Sequence, residues 1–111
     1  MTGIISMKDA AIFHRAIRSE ELAAEDGVAV ELEGKTVLIC QSKGEYFAVE
    51  NRCSHAEEKL ECGRIRRGSI ACPMHGARFD LASGRPLNPP ATEPIKTYAV
   101  RLLDGWIEVA L

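Results

Sequence analysis

An all-β architecture, an antiparallel β-sandwich, is what this 111-residue chain predicts. Three features predict it. Short runs of β-branched and apolar residues recur at close spacing, glycine-containing turn pairs separate them, and no stretch carries a long amphipathic helical period. Ile12–Ile17 reads as a first strand, and Ser19 as the cap of a single helical turn, Ser19–Leu22. Val28–Leu32 is a second strand, Glu33-Gly34 a turn, and Thr36–Cys40 a third strand, in which the β-branched Thr36, Val37 and Ile39 favour a pleated backbone. Lys43-Gly44 turns the chain into Tyr46–Val49. Residues 51–83 break this rhythm, with short strand-like pieces around Ile65 and at Ser69–Ala71, joined by a turn at Arg67-Gly68. The stretch Gly84-Arg85-Pro86-Leu87-Asn88-Pro89-Pro90 holds too much proline for a central strand and reads as a fixed, extended loop. Ile95–Leu102 and Trp106–Val109 then form a hairpin about Asp104-Gly105, closing the sheet beside the early strands.

Length and composition bound the rest. The chain is long enough for one domain with a modest core, and its 46% apolar and 27% charged residues are those of a globular protein. Net charge is −2, aromatics make up 5%, and no basic run occurs, which argues against nucleic acid as a partner. Formal charge is uneven: residues 51–83 sum to +2, leaving −4 for the remainder. The longest unbroken apolar run is about four residues, as at Val37–Cys40, whereas a membrane helix needs roughly 20. Met1–Asp9 lacks the apolar core and basic lead-in of a signal peptide. Four cysteines fit a reducing compartment, so a cytoplasmic protein without membrane contact is expected.

Chemistry concentrates in two short stretches, Cys53-Ser54-His55 and Cys72-Pro73-Met74-His75, with sixteen residues, 56 to 71, between the halves. Each offers one soft thiolate and one imidazole, donors suited to iron or zinc. In an extended Cys53-x-His55 the two side chains would point to the same side, and two such loops could grip a metal group from opposite sides. One tetrahedral zinc accepts the same four donors. Zinc sites, however, usually pair cysteines two to four residues apart, and here each cysteine is paired with a histidine instead.

These halves resemble the C-x-H and C-x-x-H motifs of Rieske iron–sulfur proteins, in which two cysteines hold one iron and two histidines the other. The resemblance continues in Gly76, Phe79-Asp80 and Ser83-Gly84, and in the small and apolar Leu60, Gly63, Ile65, Gly68 and Ile70. It is strongest to the small ferredoxins that serve ring-hydroxylating dioxygenases. The resemblance implies a Rieske fold: a base of residues 1–50 and 84–111 with an inserted cluster-binding subdomain, 51–83, in one domain, 1–111. It implies one 2Fe–2S cluster ligated by Cys53, His55, Cys72 and His75, with Pro89-Pro90-Ala91 covering a third side. It further implies a one-electron carrier, not an enzyme by itself, between a flavoprotein ferredoxin reductase and a terminal oxygenase. High-potential relatives carry a disulfide brace and two side-chain hydroxyl donors, and the matching positions here are Glu58, Met74, Ala77 and Phe79, which implies a low potential.

Two other readings stay open on sequence grounds. One is a small subunit of a different oxidoreductase, such as a nitrite-reductase-like complex; the other is a non-redox metal-binding module. The remaining candidates are weaker. Cys62 lies between the loops but outside both motifs, and Cys40 reads as a small buried hydrophobe. His14 stands alone, Trp106 suits core or sandwich-edge packing, and Met74 suits an apolar docking contact at the tip.

Overall fold

The protein's computed structural model describes residues 12–54, 59–73, 76–89, 91 and 93–111. In chain order the strands are β1 Phe13–Arg18, β2 Asp26–Leu32, β3 Lys35–Ser42, β4 Glu45–Glu50, β5 Arg64–Arg66, β6 Ser69–Ala71, β7 Arg78–Asp80, β8 Thr97–Tyr98, β9 Val100–Leu103 and β10 Trp106–Ala110. They build a terminal sheet β1-β10-β9, a middle sheet β2-β3-β4-β8 and a small sheet β5-β6-β7, each with antiparallel pairings. The all-β expectation holds. Four hairpins turn on Glu33-Gly34, Lys43-Gly44, Arg67-Gly68 and Asp104-Gly105, each with both residues at positive φ. That is the type I′ geometry whose twist matches the flanking strands.

The apolar run Val37-Leu38-Ile39-Cys40 explains the layering. A strand presents alternate residues to opposite faces, so a continuous run suits a strand covered on both sides. Val37 and Ile39 face Ile107 and Val109 of the terminal sheet, in a core shared with Leu22, Leu32 and Ala48. Leu38 and Cys40 face the other way, into a second core with Ile65, Ile70 and Phe79. All four residues are at most 1% exposed. Each of the three aliphatic side chains so buried contributes roughly 1.5–3 kcal/mol. The middle sheet is thus the shared wall between a β-sandwich and the layer that carries both cysteine loops.

Two expectations need correction. Ser19 does not cap the helical turn; it is the first residue of a single 3-10 turn, Ser19–Glu21, whose preceding residue is Arg18, with no side-chain cap. Ile95–Leu102 is not one strand. The chain changes sheets at Ala99: β8 pairs with β4, whereas β9 pairs with β10, and the Ala99 carbonyl accepts the Ala110 N–H at 2.9 Å. The small sheet also has a third strand, β7, which the sequence did not announce.

A single carboxylate ties the small sheet to the middle one. Glu25, at positive φ, accepts from the Lys43 N–H (2.9 Å), the Ser42 hydroxyl (2.9 Å) and the Arg67 N–H (3.1 Å), while Ser42 Oγ accepts from the Gly68 N–H (2.7 Å). These bonds, the Lys43 N–H foremost, hold the Glu25 carboxyl below the usual carboxylate range. A depressed folded-state pKa adds stability above the unfolded pKa and loses it as pH falls through the folded one. Replacing Glu25 with glutamine should therefore lower the urea midpoint near neutral pH, and the gap to wild type should narrow as pH falls through the carboxyl's lowered folded-state value. A gap of constant size across that range would show that the charge does not matter.

Candidate metal centre

Cys53 follows β4 in a segment outside the paired strands, and the extended reading of Cys53-x-His55 runs beyond the described residues at His55. Its side chain is 1% exposed and that of Cys72 2%, and both belong to the apolar cluster beneath the middle sheet. The structure therefore brings the two cysteines, nineteen positions apart in sequence, into one buried group. His55 and His75, the other two expected ligands, lie outside the described residues, as do Glu58, Met74 and Pro90.

The loops are held by polar clamps. Asn51, itself buried, donates from Nδ2 to Glu61 Oε1 (2.8 Å) and accepts the Glu61 N–H (2.9 Å), fastening the start of the first loop to its end. In the second loop the Cys72 N–H reaches the Ala77 carbonyl (2.7 Å), and the Gly76 N–H reaches the Cys72 carbonyl (3.1 Å). Asn88, between Leu87 and Pro89, accepts the Arg78 N–H (2.7 Å) and donates to the Gly76 carbonyl (3.3 Å). Ser54 Oγ donates to the Glu93 carbonyl at 2.5 Å. The proline-rich segment is thus bonded to the second loop and its continuation to the first. Ala91, beyond it, is buried in the same cluster as Cys53 and Cys72. Pro89 is exposed.

Ala77 and Phe79, both fully buried, present no hydroxyl toward this region. The other sequence candidates fall away from it. Cys40 is buried, and burial first, with the Asp26 charge second, pushes its thiol up to about 12, so it stays protonated and inert. Cys62 is exposed, and no disulfide joins any of the cysteines. His14 lies 3.9 Å from Glu33. Trp106 is half-buried at the start of β10, the central strand of the terminal sheet, with the Arg15 and Arg18 guanidinium groups 5.2 and 5.4 Å from its ring centre. Among the described residues no group of three or more metal-binding side chains offers a competing site. Asn51 and Asn88 were not singled out from the sequence as clamps. Asn88 belongs to the proline-rich stretch, but nothing in its spacing identifies its two partners.

The donor chemistry fits an iron–sulfur group: two soft thiols, buried in one apolar cluster, on loops braced by hydrogen bonds. Comparison with known proteins agrees. The Rieske [2Fe-2S] domain family matches residues 13–99. The ferredoxin component of the naphthalene 1,2-dioxygenase system of Pseudomonas aeruginosa is 36% identical over 87 residues, 78% of this chain and 84% of that protein. The 3-phenylpropionate/cinnamic acid dioxygenase ferredoxin subunit of Photorhabdus laumondii is 42% identical over 88 residues, again 78% and 84%. Among solved structures, the ferredoxin of carbazole 1,9a-dioxygenase from Nocardioides aromaticivorans IC177 superposes with a TM-score of 0.84 at 30% identity, covering 88% of this chain and 96% of that one. With a match running from β1 past β8, and with both cysteines buried together, the chain belongs to the Rieske 2Fe–2S family, as a ferredoxin related to those of bacterial ring-hydroxylating dioxygenase systems.

Proposed function

We propose that this ferredoxin passes single electrons from an NAD(P)H-dependent flavoprotein reductase to a terminal oxygenase, in the cytoplasm, and that Cys53, Cys72, His55 and His75 are the cluster ligands. The likeness to ferredoxin subunits of dioxygenase systems carries this reading. Joint burial of Cys53 and Cys72 supports the ligand set. Residues 51–83 form the cluster-binding unit and 1–50 with 84–111 the base, a division supported by the small sheet, which lies wholly within residues 64–80. The bound cluster supplies a one-electron couple. Two thiolates bring less negative charge to it than four would, so an added electron is better tolerated than in four-cysteine ferredoxins. Leu87, 48% exposed on the braced proline-rich segment, gives a partner an apolar contact beside the loops.

Reconstitution tests the reading. With NADH, the reductase and the oxygenase, substrate turnover should require this chain; turnover at full rate without it overturns the proposal. Ala77 and Phe79 lack donor groups, so the potential should sit near the low end of the Rieske range, on the order of −150 mV. A spectroelectrochemical titration settling well above zero would show that these positions do not set it.

A further inference from the structure

The outward face of the small sheet carries a cleft of about 310 Å³ lined by Arg64, Arg66, Arg67, Ser69, Ala71 and Arg78. Strand alternation builds it. Ile65, Ile70 and Phe79 are buried, so their neighbours in each strand point the other way. The central strand β6 contributes only the small Ser69 and Ala71, and these form the floor. Arginines surround them. Arg64 and Arg78 pair with Ala71 from either side, Arg66 pairs with Ser69, and Arg67 stands at the hairpin turn. Ser69, 6% exposed, accepts from Arg78 Nη2 (3.3 Å) and donates to the Arg66 carbonyl (3.0 Å), which holds one guanidinium over the floor. Among the described residues no carboxylate pairs with any of the four guanidinium groups. Asp80 completes the second row, but its carboxylate accepts from the Ser83 N–H and hydroxyl and does not line the cleft. Glu25 is engaged at the two turns, with Lys43 beside it over Gly68. With Asp80, Glu25 and Lys43 all counted, five cations stand against two anions on or beside this face, a formal +3.

We infer that this cleft is a binding site for the diphosphate group of a small molecule. Four guanidinium groups gathered around one floor repel one another, and an oxyanion seated among them relieves that repulsion. Guanidinium forks match phosphoryl oxygens two bonds at a time. Row spacing sets the length of the ligand. The row of Arg64, Ala71 and Arg78 lies two residues along the strands from the row of Arg66 and Ser69, about 6.6 Å. Side chains converging from these rows meet two linked phosphoryl groups, one between Arg64 and Arg78 above Ala71, the other beside Arg66 and Arg67 above Ser69. A single phosphate engages only one of these pairs. The cleft's volume is at the small end for a ligand site, which suits a compact anion. No aromatic side chain lines it, so a nucleotide base has no stacking platform and the diphosphate itself is the group recognised.

Titration calorimetry on the cluster-loaded protein tests this, at about 0.05 M ionic strength, where exposed charges are only partly screened. Inorganic pyrophosphate should bind one to one with a Kd below about 1 mM, and inorganic phosphate about tenfold or more weakly. The double variant Arg64→Gln/Arg66→Gln removes one guanidinium from each row and spares the bond between Arg78 and Ser69. Its affinity for pyrophosphate should fall about tenfold or more, with melting temperature and absorbance spectrum as in wild type. Lys35→Gln, at an exposed position on β3 outside the small sheet, should bind as wild type does. ADP should bind no more tightly than pyrophosphate. Wild-type protein that does not bind pyrophosphate overturns the inference, as does binding that the double variant retains or that phosphate matches. ADP binding about tenfold tighter than pyrophosphate would make the cleft a nucleotide site and overturn it as well. Heat accompanied by loss of the visible absorbance would be iron extraction, which also overturns it. Each of these results leaves the carrier function standing.

Discussion

Cys53→Ser and Cys72→Ser should each yield colourless protein with less than about a tenth of the wild-type iron and sulfide, against about two of each per wild-type chain. Both thiols are buried in one apolar cluster, and a serine hydroxyl neither ionises near neutral pH nor offers a soft donor. Metal binding that assembles a site contributes folding free energy, on the order of 10 kcal/mol in small metal-binding domains, so the loss extends beyond colour. It should be local. Cys53 and Cys72 share their core with Ile65, Ile70 and Phe79, whereas Ile107 and Val109 pack in the separate core between the terminal and middle sheets. Amide exchange should therefore accelerate in β5, β6 and β7 and stay slow in β3 and β10. Cys62→Ser, at an exposed thiol, is the control and should keep full absorbance. Bleaching in the Cys62 variant with colour retained in the Cys72 variant would overturn the ligand assignment.

Local pattern explains which parts of this molecule the sequence discloses. The run Val37–Cys40 and the four glycine turns are short-range signals, and they place the middle sheet and its hairpins correctly. Cys53 and Cys72 are legible because metal chemistry demands donors at short, recognisable spacings. Tyr98-Ala99-Val100 is different: nothing in these three residues says that the chain leaves one sheet for another at Ala99, a choice made by the packing of two layers. β7 is as short as β5 and β6, but where Arg67-Gly68 marks those two as a hairpin, β7 follows the second cysteine loop with no such turn pair to announce it. The clamps are less legible still. Glu25 reaches residues 17, 18 and 42 positions away, and its carboxylate looks like any surface acid until the two turns are brought to it.

Gly84→Ala should be among the most damaging single substitutions outside the cysteines. Gly84 is buried at φ +78° between two backbone bonds: its N–H reaches the Asp80 carbonyl (2.7 Å) and its carbonyl accepts the Ile95 N–H (2.9 Å). A Cβ there would collide with the Ile95 carbonyl oxygen and press on Thr97 Cγ2 at 3.1 Å. Left-handed backbone costs a residue with a Cβ about 1–2 kcal/mol. Forcing the Ile95 backbone aside adds about 1–3 kcal/mol. A total near 3 kcal/mol corresponds to a melting temperature lower by roughly 12 °C for a domain of this size. Gly34 separates the two costs, since it has the same φ of +78° and open space where its Cβ would stand. Gly34→Ala should lose only the conformational part, about 1 kcal/mol, or roughly 4 °C. Because Gly84 fastens the start of the proline-rich segment to Ile95 at its end, the Gly84 variant should also release its iron faster, and the Gly34 variant should not. Thermal melts and iron-release rates of the two variants measure both effects; equal losses at the two glycines would mean that Ile95 yields freely and that this segment is not braced as described.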